Sequence, residues 1–98
     1  MTRSGSTLVC VVVPAYNAAG TLDETLRSVR AQTHRALEIV VVDDGSLDDT
    51  WAIALRHANE DDRVRVLRQP NAGVAAARNA GWQSSQANLI AFIDADDL

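Results

Sequence analysis

The hydrophobic pattern of the chain changes period several times, and each change marks an element. Leu8 to Val13 is an unbroken apolar, β-branched run closed by Pro14, the pattern of a strand buried on both faces. Thr21 to Glu24 then has the spacing of a capping box, with Leu22, Leu26 and Val29 at helical intervals, which predicts a helix to about Gln32. Glu38 to Asp43 repeats the buried-strand pattern. Ser46 to Asp49 opens a second predicted helix that carries Trp51, Ile53, Ala54, Leu55 and Ala58. Arg63 to Arg68 alternates arginine with aliphatic residues, as a strand near water or at a sheet edge does. Gln69 to Gly73 is a turn. Val74 to Ser85 is Ala-rich and predicts a third helix, although Gly81 weakens it by about 1 kcal/mol relative to Ala. Asn88 to Ile93 is a fourth apolar strand that runs directly into Asp94, Ala95, Asp96 and Asp97.

Strands interleaved with helices through short connections predict an α/β fold: an open, mainly parallel sheet with right-handed crossovers and helices on both faces. Polar groups collect where buried strands end: Pro14 to Asn17 after the first, Asp43 to Ser46 after the second, Asp94 to Asp97 after the fourth. In an open parallel sheet those ends share one edge, and ligands bind there, where strand order reverses. A strand order of 3-2-1-4 places that reversal between the first and fourth strands, with Tyr16 and Asn17 beside Asp94 and Asp96.

The chain has 98 residues, enough for one small domain with a single modest core. Its apolar content of 47% fits a folded domain rather than disorder. No apolar run approaches the roughly 20 residues of a membrane-spanning helix. Residues 1–7 read as a flexible lead-in with no secretory signal, so residence in the cytoplasm is expected, with membrane attachment through other segments of a full-length protein left open. Cys10, within the first apolar run, reads as a buried thiol. The formal charge is −4, but seven of the 13 acids fall in two groups, Asp43, Asp44, Asp48 and Asp49, then Asp94, Asp96 and Asp97. Every basic residue is arginine. Concentrated carboxylates on an otherwise mildly basic chain point to a local cation site. No basic stripe or recognition motif suggests nucleic acid as a partner.

Neighbouring carboxylates repel one another unless a cation neutralises them, and Mg²⁺ or Mn²⁺ held by one or two aspartates keeps positions open for phosphate oxygens. Asp94 and Asp96 would share a face if the strand continued, whereas Asp97 would join them only through a turn. A solvated acidic loop or helix cap is the plainer alternative. Of the pair after the second strand, Asp44 is the candidate ligand contact and Asp43 the candidate for holding the turn, with Gly45 permitting the backbone. Tyr16 offers a face for stacking a base, or packing. Pro14 would lock its loop or simply end the strand. With no lysine, Arg78 is the candidate cationic contact to phosphate or base, against a surface ion pair. His34 and His57 lie outside the acidic groups, so neither is expected as ligand or base, and Trp51 and Trp82 read as core or covering residues. Neither a phosphate-loop motif nor a Gly-rich dinucleotide motif is present.

Four ordered pieces carry a family resemblance: residues 11–17 (Val-Val-Val-Pro-Ala-Tyr-Asn), residues 40–46 (Val-Val-Val-Asp-Asp-Gly-Ser), Asn71 and Gly73 with Ala77 to Gly81, and Asp94 to Asp97. From Val9 to Asp97 the chain resembles the N-terminal half of a family 2 glycosyltransferase with the GT-A fold. The resemblance implies a Rossmann-like donor-binding part over residues 8–98, ending just after the acidic motif. It implies a nucleotide-diphospho-sugar donor, usually a UDP-sugar, inverting transfer to a saccharide or lipid-linked acceptor, and a place in cell-wall or polysaccharide biosynthesis. By it, Pro14, Ala15, Tyr16, Asn17 and Asp44 cradle the nucleoside. Asp96 would also contact the donor, beside the candidate Arg78. For Mn²⁺ or Mg²⁺ the resemblance implies Asp97 as the direct ligand, Asp96 facing ribose or metal, and Asp94 in support or as a water-mediated ligand. The metal would neutralise the departing diphosphate. The general base and acceptor pocket are expected beyond Leu98, so the chain alone is expected to be inactive. The apolar fourth strand is expected to expose an edge that supports self-association.

Three other readings compete. A sugar nucleotidyltransferase shares the layout but carries a Gly-rich loop with a cationic residue where this chain has Pro14 to Asn17. A phosphoacceptor signalling domain has its acidic pair after the first strand and uses a lysine. A non-catalytic nucleotide-sugar-binding module would differ only in lacking a downstream base.

Overall fold

The computed structural model describes residues 8–32 and 36–95. Seven elements follow one another: β1 (Val9–Ala15), α1 (Leu22–Arg30), β2 (Leu37–Asp43), α2 (Thr50–Glu60), β3 (Val64–Arg68), α3 (Val74–Gln83) and β4 (Leu89–Phe92). The strands form one parallel sheet in the order β3-β2-β1-β4, the expected topology. Among the described residues no helix is long and apolar enough to cross a membrane.

Period-two alternation in the buried strands divides the core between the two faces. Val11, Val13, Ile39 and Val41 point to the side covered by α1 and α2, where Leu22, Leu26, Val29 and Ala54 meet them. Cys10, Val12, Val40 and Val42 point to the other side, under α3 and Ala77. Each fully buried aliphatic side chain contributes about 1.5–3 kcal/mol of burial free energy. This explains why an unbroken apolar run, rather than an alternating one, forms the two central strands. Gly81 has a purpose that its helix propensity hides: a β-carbon there would overlap Val12 Cγ1, so the glycine lets α3 lie close on β1. Cys10 is buried, and burial pushes its thiol up from the ordinary range.

His57 clasps α1 to α2. The Arg30 guanidinium donates to its Nδ1 at 2.7 Å, and because arginine can only donate, the Nε2–H is the donor to Asp23 Oδ1 at 2.7 Å. The hydrogen bond from His57 holds the Asp23 carboxyl below the ordinary carboxylate range.

Several local expectations are corrected. β1 does not end before Pro14; Pro14 and Ala15 pair with Val42 and Asp43 of β2. The proline is tolerated because it lies past the last β1–β4 pair, Val12 with Phe92, on the side where a strand N–H has no ladder partner to serve. The capping box does not form: the Thr21 side chain makes no cap hydrogen bond, and its Oγ1 is buried without a partner among the described residues. α1 ends at Arg30 and α3 at Gln83, each about half a turn earlier than the periodicity predicts. α2 begins at Thr50 rather than Ser46: Ser46 Oγ accepts from Asn17 N in the β1–α1 loop, while Asp48 accepts from Ala19 N through Oδ2 and from Thr50 N, at the start of the helix, through Oδ1. β4 is not buried on both faces: it is the outer strand of the described sheet, with Leu89 58% and Phe92 45% exposed.

Candidate donor-binding site

The carboxyl ends of β1, β2 and β4 open on one edge of the sheet, and the loops that leave them interlock. Asn17 takes a left-handed conformation (φ 48°), which asparagine tolerates. Its amide donates to Ser46 Oγ at 2.8 Å, and its Oδ1 accepts from the Leu47 amide at 2.8 Å. Ala18 N donates to Thr50 Oγ1 at 2.8 Å and Ala19 N to Asp48 Oδ2 at 3.2 Å. Four hydrogen bonds thus tie the β1–α1 loop to the β2–α2 loop. They fix Tyr16, half exposed, at the rim.

Asp43 and Asp44 divide their work. Asp43 Oδ1 accepts from the Ser46 amide at 2.9 Å and closes the turn at Gly45 (φ 79°), while its Oδ2 lies 3.7 Å from Arg68 Nε. Asp44 reaches across to the connection between β3 and α3. It accepts from Gln69 Nε2 (2.8 Å), Ala72 N (2.8 Å), Gly73 N (2.9 Å) and Asn71 Nδ2 (3.2 Å). Burial pushes the Asp44 carboxyl up, but the hydrogen bonds from Gln69 and from the amides of Ala72 and Gly73 outweigh it. They hold the group below the ordinary carboxylate range.

After β4, Ile93 N donates to Val12 O and Ala95 N to Pro14 O, while Thr25 Oγ1 of α1 donates to Ala95 O at 2.9 Å. These bonds keep the segment beside β1 as it leaves the sheet. Asp94 therefore lies at the point where strand order reverses, and Arg78 Nη2 of α3 donates to its Oδ1 at 3.2 Å. The Arg78 Nε is buried with no hydrogen-bond partner among the described residues.

A cavity of about 410 Å³ lies along this edge. Pro14, Ala15, Tyr16, Asp44 and Asp94 line it, so five of the site residues expected from the sequence converge. Asn17 does not line it and acts through the loop bonds described above; Arg78 reaches Asp94 from behind. Asp96 and Asp97 lie outside the described residues. Asn71, Gly73, Val74 and Ala77 also line the cavity. Sequence reasoning placed these four on a turn and a helix but not in the site. The available signal was that the β3–α3 connection must emerge at the same sheet edge as the acidic loops.

Among the described residues no three His, Cys, Asp or Glu side chains gather as a metal-ligand group. Asp94, a hard oxygen donor bordering the cavity, is the described member of the expected set and suits Mg²⁺ or Mn²⁺ in chemistry.

Comparison with known proteins agrees with this geometry. Residues 10–98 match the family model for glycosyl transferase family 2. The chain is similar to glycosyltransferase GlyA of Streptococcus pneumoniae serotype 4, with 40% identity over 89 residues that cover 91% of this chain and 13% of GlyA. Among solved structures it is similar to the mannosyltransferase PcManGT from Pyrobaculum calidifontis, in complex with GDP-Man and Mn²⁺: TM-score 0.85, 29% identity, 92% of this chain and 28% of that one. It is also similar to S. aureus TarS in complex with UDP-GlcNAc: TM-score 0.84, 30% identity, 91% of this chain and 26% of that one. The chain thus spans less than a third of each of these proteins. The strand order, the shared fold and a family match over nearly the whole length agree: this chain belongs to glycosyl transferase family 2 and has the GT-A glycosyltransferase fold.

Proposed function

We propose that this chain is the donor-binding part of an inverting glycosyltransferase that moves a sugar from a nucleotide-diphospho-sugar, a UDP-sugar in the first place, to an acceptor hydroxyl. The observation that carries this reading is the convergence of Tyr16, Asp44 and Asp94 from three different loops on one cavity at the reversal of strand order. The half-exposed ring of Tyr16 suits a base, and the Asp44 carboxylate suits a base N–H or a ribose hydroxyl. Arg78, whose guanidinium is partly exposed beside Asp94, suits the diphosphate. TarS, 30% identical, is known with UDP-GlcNAc, and PcManGT, 29% identical, with GDP-Man and Mn²⁺.

Asp94, together with Asp96 and Asp97 that follow it, would hold the divalent cation. Such an ion, when bound, supplies positive charge that neutralises the departing diphosphate. The carboxylate that takes the acceptor's proton is proposed to lie outside these 98 residues, as are the contacts to a saccharide or lipid-linked acceptor. The open edge of β4, with Leu89 and Phe92 exposed, supports self-association of the isolated chain.

Calorimetric titration with UDP, GDP and dTDP, each with and without Mn²⁺, tests the reading. The expected result is UDP binding that tightens with the metal. Tighter GDP binding would move the donor to the guanosine class, and no binding of any of the three would overturn the proposal.

A further inference from the structure

A carboxylate has about four acceptor positions, and at Asp44 four donors fill them, all from the connection between β3 and α3. The two oxygens differ in what they face. Oδ1 takes its bonds from Gln69 Nε2 and Ala72 N, neither of which borders the cavity. Oδ2 takes its bonds from Asn71 Nδ2 and Gly73 N, both from residues that line it. Oδ2 is therefore the oxygen on the ligand side, and Oδ1 is the one held from behind. Of the donors, Asn71 makes the longest bond, 3.2 Å, and also reaches the Asp44 carbonyl at 3.1 Å. A base N–H approaching Oδ2 would displace this bond first.

Gln69 supplies the short side-chain bond on the rear oxygen, and its backbone is itself anchored, Gln69 N donating to Asp43 O at 3.0 Å. Gly45 stands against the same connection so closely that a β-carbon there would lie 2.7 Å from Asn71 N. The β3–α3 connection is thus pinned between Gly45 and Asp44, and it sets the plane of the carboxylate.

We propose that Gln69 is a positioning residue for nucleobase recognition: by holding Oδ1 of Asp44 from outside the cavity, it presents Oδ2 to an N–H on the edge of the base. The inference rests on the donor-binding reading above and adds to it a residue that touches no ligand.

Gln69→Met keeps the length of the side chain and removes its donor, and Gln69→Asn keeps the amide but withdraws it by one methylene. UDP and inorganic pyrophosphate, each with Mn²⁺, are titrated into the native chain and both variants. Either folded variant is expected to bind UDP about 3–10-fold more weakly, the share of one charge-assisted hydrogen bond, with pyrophosphate affinity unchanged. Unchanged UDP affinity, or equal losses for UDP and pyrophosphate, would overturn the proposal. If the native chain binds no nucleotide, the donor-binding reading fails by itself. Hydrogen exchange of the Ala72 and Gly73 amides in the free chain then decides the positioning role. An acceleration of about tenfold in the variants supports it, and unchanged exchange refutes it.

Discussion

Arg78 on α3 donates to Asp94 at the end of β4, Nη2 to Oδ1 at 3.2 Å, and its guanidinium carbon lies 5.9 Å from the centroid of the Phe92 ring. The pair joins a helix to the loop at the reversal of strand order, on the rim of the cavity. Both side chains are about two-fifths exposed, so the pair adds only about 0–1 kcal/mol to stability. On the proposed reading, it holds a cation and a carboxylate beside the cavity that would take the diphosphate. Arg78→Gln is expected to leave the urea midpoint nearly unchanged while weakening UDP binding with Mn²⁺ by about tenfold or more. Calorimetry beside urea denaturation checks it, and a large loss of stability with unchanged binding would contradict it.

Gly81→Ala should raise helix propensity by about 1 kcal/mol yet destabilise the protein, because the new methyl would overlap Val12 and press on Val42. Overpacking of this kind costs about 1–3 kcal/mol, so the net change is expected to be a lower urea midpoint. A midpoint that rises would show that α3 can move away from β1 at little cost.

Gly45→Ala meets two obstacles together, a left-handed φ of 79° and the backbone of Asn71. Strain at such a residue is about 1–3 kcal/mol. Because the displaced partner is the connection that carries Gln69 and Asn71, UDP affinity should fall with stability, by tenfold or more. Gly20→Ala is the control: nothing lies near its β-carbon position, and neither quantity should change appreciably. Native-like UDP binding in Gly45→Ala would show that the two loops are not coupled.

Acid should unfold the chain in part through Asp44. Its carboxyl is held below the ordinary range in the folded state, so its contribution is fully present above about pH 4 and is lost as pH falls through the folded value. Asp48, stabilised by the Thr50 hydroxyl, and Asp61, stabilised by Arg63, act in the same direction. Unfolding free energy measured in urea should be nearly flat from pH 7 to about 5 and fall below about 4. Asp44→Asn should be less stable at neutral pH and show a shallower acid slope. Parallel slopes in the two proteins would remove Asp44 from the account.

The two sheet edges are guarded differently. β3 alternates Arg65 and Arg68 with aliphatic residues, whereas β4 carries no charge and exposes Leu89 and Phe92. Light scattering is expected to show concentration-dependent association of the isolated chain, reduced by Phe92→Lys. A monomer at high concentration would count against it.

The existence of the strands and helices and their alternation along the chain follow from periodicity. Two continuous β-branched runs can be satisfied only between two helical layers, and short crossovers leave few topologies. Once order is set, so is the edge on which Tyr16, Asp44 and Asp94 meet. Local chemistry was a weaker guide. Thr21 to Glu24 has the spacing of a capping box and forms none, and Ser46, placed to open the second helix, instead accepts from Asn17 N, 29 residues away in sequence. The place of Gly81 against Val12, and of Gln69, Asn71 and Gly73 around Asp44, depended on distances between elements, which composition and spacing do not contain. Burial is a summed property that a short window of residues already expresses. A hydrogen bond or a missing methyl depends on which atom happens to arrive from elsewhere in the chain, and only folding settles that.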